Sequence, residues 1–163
     1  MIKPFSRKTS ALAATGLLTA ASAPKLALPT GKTHLLTLSF DDGFKKSFYR
    51  IAEIHEEYGL KACLNVIATG HTPDFKKIDD WILPKLLGDF NDWNKLVGQG
   101  HEVMPHSWQH LNQTKIPINQ ARENILKCLE YFAANLDGYD PKKAVYNYAF
   151  DASTEELDLF TLQ

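Results

Sequence analysis

An excess of charge of either sign is missing from this chain. Its 18 Lys and Arg face 19 Asp and Glu for a net charge of −1, and the basic residues are scattered rather than clustered. That balance offers no foothold for a polyanion, so no nucleic acid partner is expected. Cysteine is scarce as well, with only Cys63 and Cys128. An exported protein could pair them, but each sits in an apolar segment where a small buried side chain fits, and two free, buried thiols are the favoured reading. Low-complexity tracts and internal repeats are also lacking. What remains is a chain of 163 residues, 44% of them hydrophobic, enough for one globular core.

The N-terminal 23 residues differ in kind. Lys3, Arg7 and Lys8 make a basic start, Ala11 to Ala23 is small and apolar, and Ala21-Ser22-Ala23 fits an export cleavage site. The apolar stretch falls short of the roughly 20 residues that span a bilayer, so no membrane span is expected. Residues 1–23 therefore read as a signal peptide, 24–34 as a linker and 35–163 as the folded domain, exported to the periplasm, the cell envelope or the medium. Pro24 directly after Ala23 would move the cut a few residues. Loss of the segment removes three positive charges and leaves a net charge of about −4.

Leu35 to Phe40 is a short apolar run that reads as a first strand and ends at Asp41-Asp42-Gly43. Phe44, Phe48, Ile51 and Tyr58 recur at helical spacing, and Gly59 stops that helix. Ala62 to Ala68 reads as a buried second strand. Asp79 to Leu87 holds at most a helical turn or two around Pro84, and Asp89 is a good cap for a helix carrying Phe90, Trp93 and Val97. Glu102 to His106 is the expected third strand. Asn119 is the expected cap of an amphipathic helix with Ala121, Ile125, Cys128, Leu129, Phe132 and Leu136 on one stripe. Ala144 to Phe150 is the expected fourth strand, and Ser153-Thr154-Glu155-Glu156 resembles a capping box opening a last helix. Strand and helix thus alternate four times, the pattern of a parallel α/β sheet or barrel.

Two strand ends carry the chemistry. Asp41 and Asp42 follow the first strand, while His106 and His110 stand four residues apart after the third. In α/β folds, functional groups gather at the carboxyl ends of strands. Adjacent residues on a strand point to opposite faces, so the two carboxylates are expected to divide their work. A helical turn over 106–110 would bring both imidazoles to one side. Two histidines and a carboxylate fill three positions around Zn²⁺ or another divalent metal and leave the fourth for water, whose pKa such an ion lowers to about 7. Taken singly, each motif has a plainer reading: a turn with a helix cap for the first, a solvated helix face for the second.

Together and in this order, Ser39-Phe40-Asp41-Asp42-Gly43 and His106-Ser107-Trp108-Gln109-His110 resemble the polysaccharide deacetylase family, the NodB-homology carbohydrate esterases. The resemblance runs from about Leu35 to about Glu156. It implies an α/β fold, a partial and distorted (β/α) barrel with about four β/α units present. It also implies a metal-dependent hydrolase that removes N- or O-acetyl groups from a polysaccharide or oligosaccharide. On it, Asp42, His106 and His110 become metal ligands and Asp41 the catalytic base. The family's Arg-x-Pro-Tyr-Gly motif falls on Asn147-Tyr148-Ala149-Phe150-Asp151, a departure at nearly every side chain. Asn147 could bond Asp41 but brings no positive charge. Phe150 lacks the phenol, yet its backbone N–H could serve an oxyanion hole. Both are candidate substrate-binding residues.

The family's later Leu-x-His segment has no counterpart here, and a closed (β/α)₈ barrel takes about 200 residues or more. The domain therefore reads as C-terminally incomplete, and a catalytically impaired fragment that binds metal or glycan is the alternative reading. An open sheet edge would invite a homodimer. His34, His55 and His101 are expected to be structural or surface groups, and His71 a loop histidine. Trp81 and Trp108 could each stack on a sugar ring or pack in the core.

Overall fold

Alternating burial along two short strands sets the architecture. Leu64, Val66 and Val103 are buried on one side of the sheet, while Cys63, Asn65 and Glu102 line a groove on the other. The computed structural model describes residues 30–31, 33–34, 36–76 and 80–162. It divides into Met1–Leu36 and Thr37–Gln163. In the first unit His34 is exposed, with Nδ1 2.8 Å from Thr33 Oγ1. The expected signal peptide and much of the linker lie outside the described residues.

The second unit is an α/β fold on a parallel three-stranded sheet, in the order β1 (Ser39–Phe40), β2 (Cys63–Val66), β3 (Glu102–Pro105). Helices α1 (Lys45–Glu57), α2 (Phe90–Gly98), α3 (Ile118–Asn135) and α4 (Glu155–Thr161) accompany it. The main core joins Phe48 and Ala52 of α1, Trp93 and Leu96 of α2, and Cys128 and Phe132 of α3 to the buried strand residues. A smaller cluster sets Ala121 and Ile125 of α3 against Leu157 of α4.

Three expectations need correction. The first strand is two residues long, because only Ser39 and Phe40 pair with β2, and Leu38 beside them is exposed. The fourth strand does not form among the described residues. Residues 144–148 lie alongside β3 through the Asn147 N–H to Pro105 carbonyl bond at 2.9 Å. There is no ladder, and the positive φ angles of Phe150 and Asp151 turn the chain away. Among the described residues there are accordingly three strands rather than four. Helix α3 starts at Ile118 after Pro117, not after an Asn119 cap. Proline is well placed there, since the first N–H groups of a helix have no intrahelical acceptor. Both cysteines are free, but Cys63 is only half-buried.

The remaining helix starts follow their capping chemistry. Asp89 and Asp92 form a reciprocal capping box on α2, and the Thr154 side chain accepts from the Leu157 N–H on α4. Asp92 is nearly buried and does more. It accepts from Lys45 Nζ at 2.9 Å and from the Tyr49 hydroxyl at 3.3 Å, tying α1 to α2. Burial opposes its ionisation. The hydrogen bonds from Lys45 and from the Asp89 N–H outweigh that cost and hold its carboxyl below the usual range. Asp92→Ala should therefore lower stability at neutral pH by about 1–3 kcal/mol. A folded pKa below the unfolded value means a contribution that is full above about pH 3.9 and lost as pH falls through the folded pKa. Denaturant midpoints of wild type and variant should converge below that pH, and a gap that stays constant to pH 2 would exclude this role.

Candidate metal centre

The turn after β1 separates two adjacent carboxylates. Asp42 and Gly43 both adopt left-handed backbone, at φ 77° and 93°. Gly43 is required there on two counts: its φ, and the Trp93 ring, which a Cβ would meet at 3.3 Å. Its carbonyl accepts the Gly88 N–H at 3.0 Å, anchoring the turn to the start of α2. As a result Asp42 Oδ1 faces His106 Nε2 at 3.5 Å and His110 Nε2 at 3.3 Å. Asp41 Oδ1 instead accepts from Asn65 Nδ2 at 2.7 Å and from Asn147 Nδ2 at 3.4 Å.

The histidine segment begins where β3 ends at Pro105. It is a bend and not the helical turn expected from the four-residue spacing. Ser107 and His110 have φ of 66° and 55°, which no helical turn admits. The loop closes on itself instead: the Ser107 hydroxyl accepts the His110 N–H at 2.8 Å. Both imidazoles are nearly buried, with ring centroids 5.3 Å apart. His106 Nδ1 lies 3.2 Å from the carbonyl oxygen of Asn147. A carbonyl can only accept, so Nδ1 carries a proton, and Nε2 is the nitrogen that faces Asp42.

Both loops hang from the continuation of β2. The Ile67 N–H points to the Asp42 carbonyl at 3.5 Å, and the Ala68 N–H donates to Ser107 at 3.1 Å. Thr69 donates to the Trp108 carbonyl twice, from its N–H at 3.2 Å and from its hydroxyl at 2.6 Å. On the strand itself, the His106 N–H donates to Val66 at 2.9 Å. One segment thus fixes the spacing between the carboxylate and the two histidines.

That spacing suits a metal. One ligand atom each from Asp42, His106 and His110 lies within 4.8 Å of the others, the metal-type cluster found among the described residues. Atoms held about 2.0–2.1 Å from a tetrahedral ion stand roughly 3.3 Å apart, close to both carboxylate–imidazole distances. With the His106 Nδ1–H directed to the Asn147 carbonyl, Nε2 is the atom of that ring placed to ligate an ion.

A family model for polysaccharide deacetylases matches residues 29–157. The chain belongs to the polysaccharide deacetylase family. A comparison with curated proteins gives no match. Among solved structures, the CE4 domain of a multidomain xylanase from the hindgut metagenome of Trinervitermes trinervoides is 20% identical, with a TM-score of 0.55, over 77% of this chain and 51% of that one. The Streptococcus pyogenes deacetylase PplD in complex with acetate is 13% identical, with a TM-score of 0.61, over 77% and 50%. A mutant CE4-family pseudoenzyme with restored enzymatic activity is 17% identical, with a TM-score of 0.56, over 77% and 42%. At these identities the likeness is one of fold. The chain spans about half the length of the structures it matches.

Around this deacetylase-family cluster the other candidates fall in distinct places. Asn147 reaches Asp41 through its side chain and His106 through its carbonyl. Phe150, at φ 64°, lays its ring 4.6 Å from that of His110. His101 is buried near the other end of β3, where Nδ1 accepts the Ala62 N–H at 3.1 Å, and burial pushes its pKa down. His55 is half-buried on α1, with Nδ1 2.8 Å from the Ile51 carbonyl oxygen. His71 packs on Phe90 and Tyr131 and does not line the pocket at the cluster. Trp108 packs on Tyr131.

Sequence reasoning missed Asn65 and Thr69. A lone amide inside the apolar run Ala62 to Ala68 was the available signal, since a buried amide needs a partner. Thr69 carried none, because its partner is a backbone carbonyl. Asp42→Ala and His106→Ala should each weaken zinc binding by more than the 10- to 100-fold typical of outer-shell changes. Calorimetric titration of the chelator-stripped chain would measure this, and unchanged affinity in both variants would remove the site.

Proposed function

We propose that the chain carries a deacetylase centre that hydrolyses N- or O-linked acetyl groups of a polysaccharide, with Asp42, His106 and His110 holding a divalent ion. The supporting observation is the division of labour between neighbouring carboxylates, one facing two imidazoles and the other two amides. The donor set of two nitrogens and one oxygen favours Zn²⁺. When bound, such an ion polarises an acyl oxygen and acidifies water.

Asp41 is the general base in this reading. Both amides bind its Oδ1, which orients the carboxylate and leaves Oδ2 to take a proton from the attacking water. Water oxygen bonds to the acetyl carbon, the carbon–nitrogen or carbon–oxygen bond to the sugar breaks, and the leaving atom gains a proton by way of Asp41 or solvent. The Phe150 N–H is the candidate donor to the developing oxyanion. The sheet would then be the first part of the family's barrel.

A second reading has its own support. Asn147 stands where the family has an arginine, so a neutral amide faces Asp41. The centre could accordingly bind metal or glycan without turnover. Acetate release from acetylated chitin-type oligomers and from acetylxylan, with added Zn²⁺, separates the two. The enzyme reading expects release that Asp41→Asn lowers by about 10²- to 10⁴-fold. No release from a folded, zinc-binding chain would leave the binding reading.

Export accompanies either reading, supported by the basic start and the apolar Ala11 to Ala23. N-terminal sequencing of the exported protein should find a start within a few residues of Pro24. Retention of Met1 would refute export by cleavage.

A further inference from the structure

The described Trp and Phe side chains are buried or half-buried with two exceptions. Trp81 is 54% exposed and Phe150 46% exposed. Both line one pocket, together with Asp41, Asp42, His106 and His110. Two exposed aromatic rings gathered in one pocket mark a binding surface.

The two rings are held rather than merely left out. Phe44 stacks on Trp81 at 6.1 Å and 29°, which backs one face of the indole. Trp81 and His110 meet in a T-shaped contact, with centroids 5.9 Å apart and planes at 85°. On the same imidazole the Phe150 ring sits at 4.6 Å, placed there by a φ of 64° that costs a phenylalanine free energy. The pocket holds about 210 Å³. That is below the roughly 300 Å³ at which pockets for drug-sized ligands begin, so it suits one ring and not an oligomer. Asp151, also on its wall, supplies a carboxylate that accepts from hydroxyl groups.

A ligand for such a site has an apolar face edged by hydroxyls. Planar aromatic faces carry partial negative charge, which attracts the weakly positive C–H bonds of a sugar's flat side. We propose that Trp81 and the Phe150 ring form a stacking platform for one hexopyranose ring, the ring that bears the acetyl group at the metal centre. The proposal rests on the deacetylase reading for the identity of that ring. Trp81 lies between β2 and α2, outside both motifs that carry the family resemblance.

The test is titration of the full chain with oligomers of N-acetylglucosamine, read by calorimetry and by tryptophan emission. Trp93 is buried and Trp108 half-buried, so a blue shift on binding reports mainly Trp81. Wild type should bind saturably with that shift. Trp81→Ala should bind roughly 5- to 100-fold more weakly while losing far less zinc affinity than His106→Ala, and Trp81→Phe should recover most of the oligomer affinity. Equal oligomer affinity in wild type and Trp81→Ala overturns the platform, as does an absence of binding by wild type. Asp41→Asn separates the two claims. Binding lost in Trp81→Ala with no acetate released by wild type sinks the hydrolase reading and keeps the platform. Acetate release abolished in Asp41→Asn, with oligomer binding untouched in Trp81→Ala, does the reverse.

Discussion

Five backbone and side-chain hydrogen bonds from residues 66–69 hold the site in register. The segment continues the central strand, receives the His106 N–H, and donates to the carbonyls of Asp42, Ser107 and Trp108. Leu64 and Val66 on the strand behind it have no exposed surface. The apolar burial that places β2 therefore also sets the gap between the carboxylate loop and the histidine loop. A loop on either side alone could drift, whereas two loops bonded to one buried strand cannot move apart without breaking its ladder.

This rigidity accommodates unfavourable backbone. The described non-glycine residues with positive φ are Asp42, Ser107, His110, Phe150 and Asp151. All five sit in the three loops that close around one small pocket. Such conformations cost of order 1–3 kcal/mol each and persist only where neighbouring structure over-determines them. Here the neighbours are identifiable. The Gly88 N–H holds the turn beside Asp42, the Ser107 hydroxyl caps the His110 amide, and the Asn147 to Pro105 bond brings in the segment that ends at Phe150. Strain is thus gathered where side chains must converge from different elements.

Much of this was legible in the sequence. Helices α1 and α2 follow from the spacing of Phe44 to Tyr58 and from the Asp89 cap, and the two motifs locate the chemistry at strand ends. What was not legible depends on contacts between distant segments. The apolar alternation from Ala144 to Phe150 looks like a strand, and Tyr146 and Tyr148 do pack on α3 and α4. A strand also needs a ladder, and only residue 147 makes that bond to β3. The four-residue histidine spacing suggests a helical turn, but the same spacing is reached by a bend that uses two left-handed residues. Asn65 reads as an interruption of an apolar strand until its partner, 24 positions away, is known. Nothing in the sequence separates Trp81 from Trp108, yet the first is exposed and the second half-buried.

The contact between His106 and the Asn147 carbonyl has a thermodynamic side. The carbonyl belongs to a segment that joins the sheet by a single backbone bond, yet it accepts from the Nδ1–H of the imidazole just past the end of β3. A cation held at Nε2 would draw electron density from the ring and so strengthen the Nδ1–H donation to residue 147. In the proposed centre, cation occupancy and the docking of residues 144–148 would be linked functions, each raising the equilibrium constant of the other by the same factor. The least regular stretch of the domain would then be the one whose amide exchange slows most when the centre is filled.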